Sequence, residues 1–209
     1  MPYRIEPMRQ KDIPEIVQIE RESFSMTWPA NSYRRELEQN RMARYIVLRY
    51  EPGPGEPPVE RLREPKRPFP FSLLSFGERE PDDNEPPIVG YGGLWMMVDE
   101  AHVTSVAVRP DFRGRGLGEL LMLALFEIGM RLGARWLTLE VRVGNSVARQ
   151  LYAKMGFREA GIRPRYYTDN NENAVIMWSE ELRSAAFRER FVRMKQDLAE
   201  KLEWTTVYQ

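Results

Sequence analysis

A glycine-rich loop with two arginines is the stretch whose residue types could hold an anionic ligand. Residues Arg113–Gly118 read RGRGLG, with three glycines at alternate positions. Glycine lets main-chain N–H groups face one concavity with no side chain in the way. A helix that starts here adds free N–H groups and the positive end of its dipole, and the arginines add charge. A pyrophosphate would fit such a loop.

The spacing matches neither of two common phosphate-binding loops. The third glycine comes one residue early for G-x-G-x-x-G, and no Gly-Lys-Ser/Thr closes the loop as in a Walker A sequence. A glycine-rich helix start also fits a tight strand-to-helix turn without any ligand. The residues alone leave both interpretations open.

The elements on either side position this loop. Residues 103–109 form a β-rich alternating run that stops at Pro110. From Leu117 to Leu132 the apolar side chains recur at i, i+3 and i+4, which predicts one long helix with a buried face. Gly133 then supplies a left-handed helix end.

Other patterns predict further strands and helices along the chain. Strands are predicted at 3–6, 44–50, 88–98, 135–141, 157–168 and 173–179, and helices after Asp12, after Trp28-Pro29, over 146–155 and over 181–204. The glycines at 90, 92 and 93 indicate a bulge or a close backbone approach within a strand.

Two segments stand apart from this pattern. Residues 51–87 hold ten of the sixteen prolines, which predicts an extended loop anchored by the apolar island 69–76, or alternatively a flap beside a substrate groove. Residues 181–209 carry an apolar helical stripe that packs back on the domain or forms a dimer or partner surface. We therefore divide the chain into a domain at 1–180, with an insertion at 51–87, and a C-terminal extension at 181–209.

The composition narrows the classes of function. Lys+Arg and Asp+Glu number 31 each, so no global field draws the chain onto nucleic acid or an anionic membrane. The absence of cysteine excludes disulfides, zinc–cysteine sites and thiolate catalysis. No stretch approaches 18 apolar residues, and the first residues lack the apolar core of a signal peptide. We expect a cytoplasmic protein with no metal.

The central stretch resembles a known family. V-x-V-x-P-x-x-R-G-x-G-x-G-x-x-L, from Val106 to Leu121, looks like the acyl-CoA-binding motif of the GNAT superfamily of N-acetyltransferases. The segment Thr138–Trp178 is closer to one branch, the bacterial ribosomal-protein-alanine N-acetyltransferases. The match is specific over 103–178, loose before Tyr50, and absent over 51–87 and beyond Glu181.

The resemblance implies both a fold and a cosubstrate. The implied fold is the α/β (α+β) GNAT fold, a mixed central sheet of about seven strands flanked by helices. The implied cosubstrate is acetyl-CoA, held at Val106, Ala107, Val108, Arg113, Gly114, Arg115, Gly116, Leu117, Gly118 and Asn145. The main-chain N–H groups of Val106–Val108 would be freed if the central strand splays from its neighbour, as it does in the family. Asn145 is also a candidate helix N-cap.

Two side chains are candidates for acid–base chemistry. Glu140 lies in an otherwise apolar strand, where poor solvation would raise its pKa toward neutrality, or it is a strand-face carboxylate paired with an arginine. Tyr152 could simply be packed. The resemblance implies that Glu140 is the proton acceptor and that Tyr152, within N-x-x-A-x-x-L-Y-x-x-x-G-F, donates a proton to the CoA sulfur.

The acceptor is predicted to be a protein α-amino group. Its pKa of about 7.7–8.0, against about 10.4 for lysine, leaves a substantial minority neutral near pH 7.5. By resemblance it is the N-terminal alanine of a small-subunit ribosomal protein. Trp28 and Tyr166-Tyr167 could border its groove, although Trp28 fits core packing equally well. His102, the sole histidine, is interpreted as structural because it precedes the predicted strand.

Two rival functions stay open. The first is a related transferase that acts on lysine or a small amine. The long proline-rich insertion leaves this alternative open. The other is a catalytically idle acyl-CoA-binding module that senses the cofactor and binds a partner through the C-terminal helix. That helix is also the predicted surface of a homodimer. The presence of both Glu140 and Tyr152 argues against an idle module.

Overall fold

The computed structural model describes residues 2–62 and 85–207, and these form one mixed sheet with helices on both faces. The strands are β1 Tyr3–Pro7, β2 Ala43–Tyr50, β3 Ile88–Met97, β4 Glu100–Val108, β5 Trp136–Arg142, β6 Arg158–Tyr167, β7 Glu172–Trp178 and β8 Trp204–Thr206. The helices are α1 Ile13–Ser23, α2 Ala30–Gln39, α3 Leu117–Arg131, α4 Ser146–Lys154 and α5 Ala185–Ala199. None of these helices is long and apolar enough to cross a bilayer.

The eight described strands run in the order β6-β7-β5-β4-β3-β2-β1-β8. Neighbours are antiparallel except for the β4–β5 and β1–β8 pairs. Helix α3 packs with α4 and α5 on one face of the sheet, and α1 and α2 pack on the other. The predicted mixed sheet of about seven strands is confirmed, and the added strand is the short β8.

The pairing between β4 and β5 is incomplete. The ladder joins Glu100–Val103 to Trp136–Leu139 and goes no further, although β4 stays paired with β3 as far as Val108. The register of β4 on β3 shifts between Gly93 and Leu94, so Thr104 is left over as a bulge just where the β5 ladder stops. The carboxyl ends of these two strands therefore open into a slot.

The strand glycines permit the close approaches that the sequence predicts. A Cβ at Gly93 would lie 2.3 Å from the ring of Tyr45, and one at Gly90 would lie 2.8 Å from the carbonyl oxygen of Ala107. A methyl group has no room at either distance. Only glycine therefore fits at these two positions of β3.

The C-terminal segment packs back on the sheet, as one of the two sequence interpretations predicts. Phe187, Phe191, Met194 and Leu198 of α5 are buried in the same core as α3. The helix is shorter than predicted: Ser184 caps it by accepting a hydrogen bond from the Phe187 N–H at 3.1 Å, and it ends at Ala199. The β-branched residues that follow form β8 beside β1. A homodimer through α5 would have to use its charged faces, and it stays a prediction.

The described residues at the amino-terminal end of the proline-rich insertion are fixed by buried charges. Arg61 binds Glu15 at 2.7 Å, and Arg109 donates to the carbonyl oxygen of Glu60 at 2.8 Å. Burial raises the pKa of Glu15, against the lowering effect of the Ile88 N–H and of Arg61. The apolar island 69–76, and with it the flap interpretation, lies outside the described residues.

The burial of α5 predicts that the C-terminal segment unfolds together with the sheet. Phe187 is fully buried, with its ring centroid 5.1 Å from that of Phe126. Phe187→Ala should lower the free energy of unfolding by about 3–5 kcal/mol in urea titrations, because a large cavity forms. The matched control Val192→Ala, on the exposed face of the same helix, should change it by less than about 0.5 kcal/mol. An equally small effect of Phe187→Ala would show that α5 is not part of the cooperative fold.

Candidate active site

The glycine-rich loop forms an open cradle before α3. Gly114 and Gly116 have φ values of +75° and +82°, the left-handed region that strains any residue with a side chain. A Cβ at Gly114 would meet nothing within 4 Å. The first N–H groups of α3 have no preceding carbonyl within the helix, so they face this open side. The backbone therefore leaves open space at the start of α3, and anion binding there stays a prediction.

Both arginines of the loop border this cradle. Arg113 donates through Nε to the Val108 carbonyl oxygen at 3.0 Å and through Nη2 to Ser23 Oγ at 3.1 Å. Arg115 lies over the ring of Phe112, 4.6 Å from its centroid. Each guanidinium is held beside the loop, so two positive charges border the N-terminus of α3. This combination suits a pyrophosphate.

Two of the loop glycines also allow other helices to approach. A Cβ at Gly116 would lie 3.2 Å from Leu198 Cδ1 of α5, and one at Gly118 would lie 3.3 Å from Leu151 Cδ2 of α4. Either contact is tight for a methyl group. The sequence alone gives no sign that the C-terminal helix touches this loop.

Glu140 is buried within the slot, but its electrostatics differ from the sequence expectation. Its carboxylate lies 3.1 Å from His102 Nε2 and 3.3 Å from an Nη of Arg163. The hydrogen bond from His102 and the charges of His102 and Arg163 lower the pKa of Glu140, and they outweigh its burial. The expected rise toward neutrality is wrong, because the carboxylate is buried next to two cationic or hydrogen-bonding partners.

His102 does not precede the strand, as the sequence interpretation had it, but lies inside it. Strand β4 begins at Glu100, and its register places His102 beside Thr138 of the parallel strand β5. Glu140 lies two residues after Thr138, on the same face of β5. The sequence could not reveal this neighbour, because it depends on the register between strands that are far apart in the chain.

Tyr152 lies on α4 and packs against the core that contains α3. It is partly exposed, with its ring centroid 5.7 Å from that of Phe157, and burial raises its pKa to about 12. Burial also raises the pKa of Tyr167 to about 12, and charges at Glu140 and Tyr152 add to that rise. Asn145 caps α4 by accepting the Ala148 N–H at 3.1 Å, which confirms its N-cap role.

Two loops meet at Arg142, the last residue of β5. The guanidinium of Arg142 stacks on Tyr167, 3.9 Å from the ring centroid, and binds Asp169 at 2.9 Å and Glu172 at 3.0 Å in the β6–β7 hairpin. It also donates to Ser25 Oγ at 3.0 Å, between α1 and α2. Ser25 and Asp169 form a further hydrogen bond. We name this set the Arg142 bridge, and no sequence motif indicated it.

The predicted groove aromatics fall in two environments. The ring of Trp28 packs against Tyr33 and Trp95, with centroids 5.8 and 6.2 Å away, and the main-chain N–H of Trp28 donates to Glu20 Oε2 at 2.6 Å. This is the core-packing alternative. Tyr166 is 43% exposed beside the Arg142 bridge and is free to contact a ligand. Within residues 2–62 and 85–207, no cluster of three or more His, Asp or Glu side chains could hold a metal ion.

Comparison with known proteins identifies the family of this chain. Residues 13–157 match the family model described as Acetyltransferase (GNAT) family. The chain belongs to this family and is an N-acetyltransferase, and the family uses acetyl-CoA.

Particular relatives define the branch. A Bacillus subtilis (strain 168) protein with the provisional name [ribosomal protein bS18]-alanine N-acetyltransferase is 36% identical over 171 residues, which cover 82% of this chain and 91% of that protein. The [ribosomal protein bS18]-alanine N-acetyltransferase of Escherichia coli (strain K12) is 43% identical over 84 residues, covering 39% and 57%. The crystal structure of the E. coli ribosomal-protein-S18-alanine enzyme superposes with a TM-score of 0.62 at 25% identity, covering 85% and 92%.

The lowered pKa of Glu140 predicts a pH-dependent contribution to stability. The folded carboxyl binds a proton less readily than the unfolded one, whose pKa is 4.5. The pairing therefore stabilises the fold above about pH 4.5, and this stabilisation is lost as the pH falls through the lower folded value. In urea titrations Glu140→Gln should lower the free energy of unfolding at about pH 7 and differ less from the parent protein below about pH 4. The same difference at both pH values would contradict the pairing.

Proposed function

We propose that the chain transfers the acetyl group of acetyl-CoA to the N-terminal α-amino group of a protein, with alanine as the first residue. The acceptor would be a ribosomal protein, as the names of the B. subtilis and E. coli relatives state for those proteins. The observation that carries the proposal is the slot between β4 and β5, which has the anion cradle at one end and Glu140 beside it. A reaction on ribosomal proteins would place the chain in the cytoplasm.

The residues of the loop fit acetyl-CoA. Gly114 and Gly116 expose main-chain N–H groups, and Arg113 and Arg115 supply the charge for a pyrophosphate. The unpaired side of β4 at Val106–Val108 offers main-chain donors to the pantetheine arm and to the thioester oxygen. When bound, acetyl-CoA supplies an acetyl group activated as a thioester.

Glu140 would act as the proton acceptor. Its lowered pKa keeps it ionised at neutral pH, so it attracts an ammonium group and takes a proton from the substrate nitrogen. Such a carboxylate is a weak base, and this favours an α-amino group. Near pH 7.5 about a third of α-amino groups are already neutral, against about one lysine in a thousand.

Tyr152 would act as the proton donor. Its pKa of about 12 keeps the phenol protonated at neutral pH, the form that can donate to the leaving thiolate. The substrate nitrogen forms a bond to the carbonyl carbon as the C–S bond breaks. One proton passes from the nitrogen to Glu140, and one passes from Tyr152 to sulfur.

The choice of acceptor is tested with purified protein, acetyl-CoA and two peptides that each offer a single amine. A peptide that begins with Ala and contains no lysine should release CoA with a kcat/KM at least tenfold above that of an N-blocked peptide with one lysine, because only the α-amine suits a weak base. Mass spectrometry locates the acetyl group. Faster acetylation of the N-blocked peptide would support the lysine alternative, and acetyl-CoA binding without turnover would support an idle module.

The catalytic assignments are tested by Glu140→Gln and Tyr152→Phe. Each should lower kcat on the Ala-starting peptide, by about 100-fold for Glu140→Gln, while the Kd of acetyl-CoA changes by less than about threefold. Glu159→Gln is the matched control, because that carboxylate lies on the exposed β6 and pairs with Arg149. Unchanged turnover in either test variant would remove that residue from the mechanism.

A further inference from the structure

The sole histidine of the chain is fixed against Glu140 through both of its ring nitrogens. His102 Nε2 lies 3.1 Å from Glu140 Oε2, and Nδ1 lies 3.0 Å from Thr138 Oγ1. Since β4 and β5 pair in register at His102 and Thr138, the backbone holds this arrangement. The imidazole is mostly buried, with 20% of its side chain exposed.

Strand β6 contributes three side chains near the His102–Glu140 pair. Arg163 of β6 contacts the second oxygen of Glu140 at 3.3 Å, with 55% of its own side chain exposed. Tyr166 and Tyr167, also on β6, lie within electrostatic range of Glu140.

The remaining neighbours of His102 lie on three elements. On β3 its register partner is Trp95, which is uncharged and donates through Nε1 to Glu36 of α2 at 2.6 Å. On β4 itself, Glu100 lies two residues before His102. His102 is therefore the fixed partner of the Glu140 carboxylate, and Arg163 is the exposed one.

This geometry accepts either protonation state of the imidazole without movement. A neutral ring donates from Nε2 to Glu140 and accepts the Thr138 hydroxyl hydrogen at Nδ1. A charged ring donates from both nitrogens, and the Thr138 hydroxyl turns to accept. Only the charge beside Glu140 changes. An imidazolium there makes the carboxylate a weaker base than a neutral imidazole does.

We propose that His102 is a positioning residue for the acetyl transfer: its Nε2 fixes the Glu140 carboxylate, which is a stronger base beside a neutral imidazole than beside a charged one. The inference rests on the proposed role of Glu140 as proton acceptor. The transferred proton goes from the substrate nitrogen to a Glu140 oxygen, and His102 keeps its own Nε2 proton during that step. Turnover is therefore expected to rise as His102 loses its charge.

The pairing is tested without any activity measurement, by proton NMR of the imidazole. Because the chain has one histidine, its ring signals need no assignment. In Glu140→Gln the midpoint of the histidine titration should move to lower pH by about one unit, since a neutral amide stabilises the imidazolium less than a carboxylate does. Glu159→Gln should leave the midpoint unchanged. An equal midpoint in Glu140→Gln and the parent would overturn the pairing.

The effect on catalysis is tested by the pH dependence of kcat/KM on the Ala-starting peptide. His102→Gln keeps a neutral donor near Glu140 but cannot gain a proton. The ratio of kcat/KM at pH 8 to that at pH 6 should be about tenfold smaller in His102→Gln than in the parent. Arg163→Gln, which removes the non-titrating partner, should leave this ratio as it is in the parent.

The two tests separate failure of this inference from failure of the proposed function. A His102→Gln variant that is slower by the same factor at every pH would show a merely structural role and overturn the inference. Absence of turnover with every peptide would count against the proposed function, and the NMR titration then decides the His102–Glu140 pairing alone.

Discussion

The parting of β4 from β5 is the constraint on which the rest of the site depends. Inside a sheet each strand normally satisfies the main-chain groups of its neighbour, and buried groups without a partner are costly. Here the ladder stops at Val103, after which one side of β4 faces the slot. Arg113 satisfies the Val108 carbonyl at the far end. A ligand with amide groups of its own, such as a pantetheine arm, completes what the missing strand would provide.

The same opening lets side chains from opposite faces of the sheet act on one ligand. Glu140 lies on the face that α1 and α2 cover in the other half of the sheet, whereas Tyr152 packs with the core beneath α3. In a continuous sheet a layer of backbone would separate such groups. In the proposed mechanism these two side chains reach one bond because the two strands diverge. The bulge at Thr104 lies where that divergence begins.

Much of the fold follows from local sequence signals, and the site follows only in part. The presence of helix α3, the N-cap at Asn145 and the faces of β5 all depend on residues close in the chain, and these predictions are confirmed. The prediction that α3 buries a single face is wrong, because every residue from Glu119 to Phe126 is buried. The electrostatics of Glu140 depend instead on which strand lies beside β5 and in what register. Sequence spacing carries no such information, so the shift of its pKa was predicted with the wrong sign. The Arg142 bridge, which joins two distant loops, was missed for the same reason.

The tight fit of Gly116 against Leu198 places the C-terminal helix in contact with the glycine-rich loop. Gly116 belongs to the motif that resembles the family, and it also makes room for α5, which lies outside the resemblance. Engineering of this protein has to respect that contact. Truncation of the chain after residue 180 would remove the helix that packs against the glycine-rich loop. It would also expose the apolar surface that this helix covers.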